Sequence, residues 1–208
     1  MDLFYDLVVS DGEIVELDCV TNSVAVRGSG KLRVNTVIGM GVVNACEGGE
    51  VRVGEVSNGG VVSAAKGGKA FVGRASRFGR VDAFNGGEVH VDEASGGWKH
   101  GGHVTAYKGG IASVGKVSGG GAAGTWGGGV IRVGEVLDDG AVSIDGRSTG
   151  AIGVIFGRGQ VRVFWGATAA IGEVSGRGIV TAEEDSTVAV GKVSDRGKVH
   201  GNVVVHQQ

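Results

Sequence analysis

GGEVRVGEVSNGGVVSAAK, residues 48–66, is followed without a break by GGKAFVGRASRFGRVDAFN, residues 67–85, and glycines and apolar residues fall in nearly the same places in both. Followed along the chain, one apolar position recurs at Val34, Val53, Val72, Val91, Val114, Val133, Ile152, Ile171 and Val190. The spacing is nineteen residues at every step except the twenty-three from Val91 to Val114. A strict period of this length, rich in β-branched residues and lacking the 3.6-residue spacing of a helix, specifies stacked coils of β-structure.

Composition agrees. The 208 residues include 44 glycines and no proline, which is not the make-up of an ordinary packed domain. Collagen would need a three-residue glycine period, and a disordered chain would lack the 41% hydrophobic content found here. A formal net charge of −2 provides no electrostatic case for nucleic acid or an acidic membrane. MDLFYDLVVSDGE, residues 1–13, has aspartates inside its apolar run and no basic flank, and no stretch reaches the length of a membrane span. A cytoplasmic protein is therefore expected, with Cys19 and Cys46 as reduced thiols.

Within each period the glycines mark three corners. The anchor is followed by Asn35, Gly54, Gly73, Asp92, Gly115, Gly134, Gly153, Gly172 and Gly191, a column that reads as a bend with positive φ. A second column, from Gly41 and Gly60 to Gly178 and Gly197, is glycine in every coil, and pairs such as Gly48–Gly49 and Gly67–Gly68 mark a third. Three corners predict three short strands per coil. The fold class expected is all-β: a single-stranded parallel β-helix, or β-solenoid, right-handed and three-sided. Residues 34–208 would form about nine coils with a four-residue insertion in 96–103. Residues 1–33 are expected to be one or two irregular first coils or an N-terminal cap, because Asp18 falls where a nineteen-residue step wants an apolar side chain.

Columns that face outward carry what function the sequence offers. Glu55, Arg74, Glu93, Lys116 and Glu135 alternate in sign, as do Lys31, Glu50, Lys69 and Glu88. A slip by one coil would set like charge on like, so the alternation reads as a register lock. Phe84, Tyr107 and Trp126 share one column in consecutive coils, with Phe164 two coils on. Such a ladder stabilises adjacent coils or offers a stacking surface for a carbohydrate. The insertion exposes Trp98, Lys99 and His100 beside His103, a loop suited to a partner contact. Ser57, Ser76, Ser95, Ser118, Ser175 and Ser194 read as turn hydrogen-bonders, with no base beside them to make a nucleophile. Thr149, Thr168 and Thr187, flanked by Ala151, Ala170 and Ala189, form a flat strip suited to lateral packing. No nucleotide, zinc or calcium signature is present, so neither a catalytic residue, a metal nor a cofactor is expected.

VRVGEVSNGG (51–60), IGEVSGRG (171–178) and VAVGKVSDRG (188–197) resemble the coils of bactofilins, cytoskeletal β-helix proteins that polymerise without nucleotide, and more weakly those of filamentous-haemagglutinin-type adhesin passengers. The resemblance covers about residues 30–205. It implies a non-enzymatic structural protein whose partner is itself, forming a filament or lattice through stacked ends or lateral faces. The alternative it leaves is a carbohydrate- or surface-binding module of adhesin type.

Overall fold

The structure, a computed structural model, describes residues 7–97, 100–183 and 185–205. Every regular element among them is a strand, from β1 (Leu7–Val9) and β2 (Ile14–Val20) to β21 (Lys198–Gly201) and β22 (Val203–Val205). The strands form two parallel sheets of eleven. Odd-numbered strands build one and even-numbered strands the other, each pairing with its equivalent in the coils before and after. At a strand spacing of ~4.8 Å the stack is about 50 Å long. The anchor valines and isoleucines, Val34 through Val190, are hydrogen-bonded neighbours in one unbroken internal row. Each of them is at most 4% exposed. A single coil buries too little to offset the entropy of ordering its backbone, whereas a stack buries both faces of every coil and satisfies its hydrogen bonds on its neighbours.

A coil contains two hydrogen-bonded strands where three were expected. In β6 (Glu50–Ser57), Val51 and Val53 point inward on either side of exposed Arg52. Gly54 and Glu55 then both face out before Val56 turns in again. That slip in the two-residue alternation is a corner, and the pairing ladder to β8 (Lys69–Ala75) passes from Val53↔Val72 to Glu55↔Arg74 without pairing Gly54 to Gly73. The chain rounds the third corner while its hydrogen bonds continue on both sides, so one strand spans two faces.

The other two corners are tight turns. In Cys46–Gly49, Glu47 and Gly48 have φ of 53° and 91°, and the Gly49 N–H donates to the Cys46 carbonyl at 3.0 Å. Ser57–Gly60 repeats this with Asn58 and Gly59 at 51° and 90° and a closing bond of 2.9 Å. These are type I′ turns, whose central pair must both be left-handed. The expectation of positive φ at the Gly54 column is corrected by this finding: neither those glycines nor the Gly41–Gly197 column is left-handed. What excludes a side chain there is the coil beneath. A Cβ at Gly60 would collide with the Val37 carbonyl, and one at Gly54 would stand 2.7 Å from the Asn35 carbonyl.

Residues 7–33 extend the same two sheets with a shorter step. Leu17 pairs with Val34 and Val20 with Val37, seventeen residues apart. Asp18 consequently falls beside Asn35 at the outward corner, where its Oδ1 accepts a 3.1 Å hydrogen bond from the Asn35 amide, and not in the apolar column to which a nineteen-residue step assigns it.

Candidate functional site

Each aromatic of the ladder sits at the end of a short strand, at the first position of a tight turn. Parallel pairing sets Phe84 beside Tyr107 and Tyr107 beside Trp126. Ring centroids are 5.4 and 5.2 Å apart with planes within 10° and 7°. Tyr107 is sandwiched between its two neighbours, so the faces that could stack on a sugar are turned on one another. Trp126, 48% exposed, keeps one face outward. Phe164 is not a continuation of the ladder: it packs edge-on against Trp165, with ring planes at 89°.

At the insertion, Trp98 and Lys99 lie outside the described residues. His100 is exposed and rests on Phe78, ring centroids 4.5 Å apart, while the Phe78 N–H donates to the Gly101 carbonyl at 3.2 Å. The Gly102 N–H closes the loop onto the Ser95 carbonyl at 3.0 Å. The insertion therefore leaves and re-enters the coil at adjacent points, and the stack continues through it from β10 (Glu88–Ala94) to β12 (Ile111–Val117) without loss of register. The structure brings Phe84, Tyr107 and Trp126 together and places His100 apart from them, against Phe78.

Outward charges form bonds between coils. Arg74 reaches Glu93 at 3.1 Å, Lys69 reaches Glu88 at 3.5 Å and Lys192 reaches Glu173 at 3.6 Å. Two of the serines expected to serve the turns donate hydroxyl hydrogen bonds to glutamates of the preceding coil: Ser76 to Glu55 at 2.6 Å and Ser194 to Glu173 at 2.9 Å. On the face between two corners, Arg52 lies 4.9 Å above the Phe71 ring, Phe71 stacks on His90 at 5.2 Å, and His90 meets Glu88 at 2.9 Å. Burial acts to raise Glu88, but the hydrogen bond and charge of His90, with Lys69 beyond, outweigh it and hold the carboxyl below its ordinary value.

One feature escaped the sequence reading. Asn44, Ser63, Asp82 and Thr105 stack at the centre of the outward face of the short-strand sheet. The Ser63 hydroxyl donates to Asn44 Oδ1, and Arg80 bridges Asp82 at 2.7 Å. Asp82 is only 6% exposed, and burial pushes its carboxyl above the ordinary range despite Arg80, Thr105 and His103. A polar residue on an outward column looks solvated in sequence. Here long neighbours on either side shelter it.

Along the Gly54-type corner runs an open groove that begins at His90 and continues past Arg132. Gly134, Gly153 and Gly172 lie along it with Ala151 and Ala170. Among the described residues no group of three or more histidines, cysteines or acids could hold a metal ion, and no helix is long and apolar enough to cross a membrane. Cys19 and Cys46 are both free.

Exposed aliphatic residues include Met40 (89%) and Val154 (36%) along the stack, and others lie toward its two ends. Val8 (53%) and Ile14 (65%) belong to the first described coil, and Val193 (37%), Val204 (56%) and Val205 (38%) to the last. Val205 continues the column buried from Val34 to Val190, and Val193 the column buried from Val37 to Val174, so among the described residues both columns reach the surface at this end.

These features define a parallel β-solenoid with minimal turns and a single short insertion, whose terminal strands have no further partner strand among the described residues. Comparison with protein-family models, curated proteins and solved structures returns no match.

Proposed function

We propose that this chain is a non-enzymatic structural protein that self-assembles through its stacked ends, giving a filament in the manner of the bactofilins its coils resemble. One observation carries the reading: two internal columns end on exposed Val193 and Val205, beside the strand edges of β21 and β22, whose backbone groups have no further partner strand among the described residues. Apolar side chains next to an unpaired parallel edge are a template for another coil. The lateral faces support assembly less well, because charged columns run along them, Arg74 and Glu93 in the first half and Glu135, Glu173 and Lys192 in the second, and their desolvation opposes lateral contact.

Sedimentation velocity over a concentration series, with negative-stain microscopy, tests the proposal. Rods growing in multiples of the ~50 Å stack are expected. The Val193→Lys/Val205→Lys variant, which would bury two ammonium groups at each junction, should remain a single stack. Uniform short particles from the unaltered protein at every concentration would overturn the reading.

A further inference from the structure

Resting on that self-assembly reading, we propose that the partner at each junction is a second copy docked head to tail, the first coil of one chain on the last coil of the next. Charge decides the polarity. Residues 7–26 carry Asp11, Glu13, Glu16 and Asp18 and no lysine or arginine. Residues 191–205 carry Lys192, Arg196 and Lys198 against Asp195 alone. A head-to-head junction sets four carboxylates against four, and a tail-to-tail junction sets cation against cation. Head to tail brings the opposite rims together, and attraction between rims of opposite sign steers encounter and excludes the wrong orientation.

Register agrees with polarity. In β22, Val203 and Val205 continue the internal columns of Val188 and Val190. In β2, Val15 and Leu17 occupy those same columns beneath Leu32 and Val34. On the other sheet, Val199 in β21 and Leu7 in β1 share one column. Docking β2 on β22 and β1 on β21 thus extends both parallel sheets across the junction with apolar residues facing apolar residues.

Two charge-reversed variants of the full chain test this. Lys192→Glu/Lys198→Glu makes both rims acidic, and Glu13→Lys/Asp18→Lys offsets the acidity of the first coil to leave neither rim acidic. Each, checked for native β-structure by circular dichroism, is expected to associate at least about tenfold more weakly than the unaltered chain in low salt. Mixing the two in equal amounts should restore association as two-chain rods, because the acidic first coil of the glutamate-substituted chain meets the basic last coil of the other. The unaltered chain should shorten its rods when salt is raised, a readout that needs no variant. Folded variants that assemble alone as well as the unaltered protein, a mixture that fails to recover, or salt-indifferent assembly would overturn the polarity and leave self-assembly standing. An unaltered protein that never associates would overturn both.

Discussion

Two glycines seven residues apart in one segment have opposite reasons for being glycine. Gly67 has φ of +80° and open space around its missing Cβ, so its role is conformational. Gly60 has an ordinary backbone and is held against the Val37 carbonyl of the coil beneath. Gly67→Ala is therefore expected to cost about 1–2 kcal/mol, the penalty of one left-handed non-glycine residue, and Gly67→Asn less. Gly60→Ala has no such ceiling, because a backbone carbonyl cannot step aside without parting the coils, and it should cost more than about 3 kcal/mol. Urea unfolding followed by tryptophan fluorescence separates the two. At the same scale, Asp82 shapes the pH response. Its carboxyl is raised in the folded state, so the native protein holds its proton to higher pH than the unfolded chain. Its contribution is present below the ordinary carboxylate range and is lost as pH rises through the folded value. Asp82→Asn should abolish that component, so its stability relative to the unaltered protein improves on going from acid to neutral pH.

At the scale of the coil, the alternating charges predict that not all coils are equally dispensable. Deleting residues 61–79 joins Gly60 to Arg80 in register but sets Glu50 beside Glu88 and Glu55 beside Glu93. Deleting 131–149 removes an equally complete coil and brings no like charges together, since Lys116 then neighbours Val154. Both shortened proteins should fold. The first should carry an extra penalty of about 0.4–2 kcal/mol from two like pairs, and that excess should shrink as salt is raised. Denaturant midpoints at low and high salt give the measurement. The aromatic ladder acts on the same scale: Tyr107, sandwiched between Phe84 and Trp126, ties three consecutive coils across the insertion.

For the molecule as a whole, a stack in which each coil touches only its neighbours unfolds from its ends. Amide exchange should be slowest in the middle of the sheets, around Val91 and Val133. It should quicken toward β21 and β22, at the end of the stack where Val193 and Val205 are exposed. Assembly should slow exchange at those end strands and leave the middle unchanged.

Period, strand content and the internal columns were legible in the sequence, because a two-residue alternation locked to a nineteen-residue repeat can stack in only one register. The N-terminal step was misread, since Asp18 is assigned by pairing and not by counting, and two residues fewer in the first coil shift every column. The third corner was misread as a break, because the sequence marks Gly54 as special without distinguishing a left-handed turn from a close backbone contact. Of the candidate site residues, the sequence placed Phe84, Tyr107 and Trp126 in one column. That the rings face one another, that Asp82 is sheltered, and that Val193 and Val205 open the core at one end were decided by the tertiary structure alone. Ring orientation, burial and the exposure of an edge depend on which coil lies above and below, and that is a property of the stack and not of the repeat.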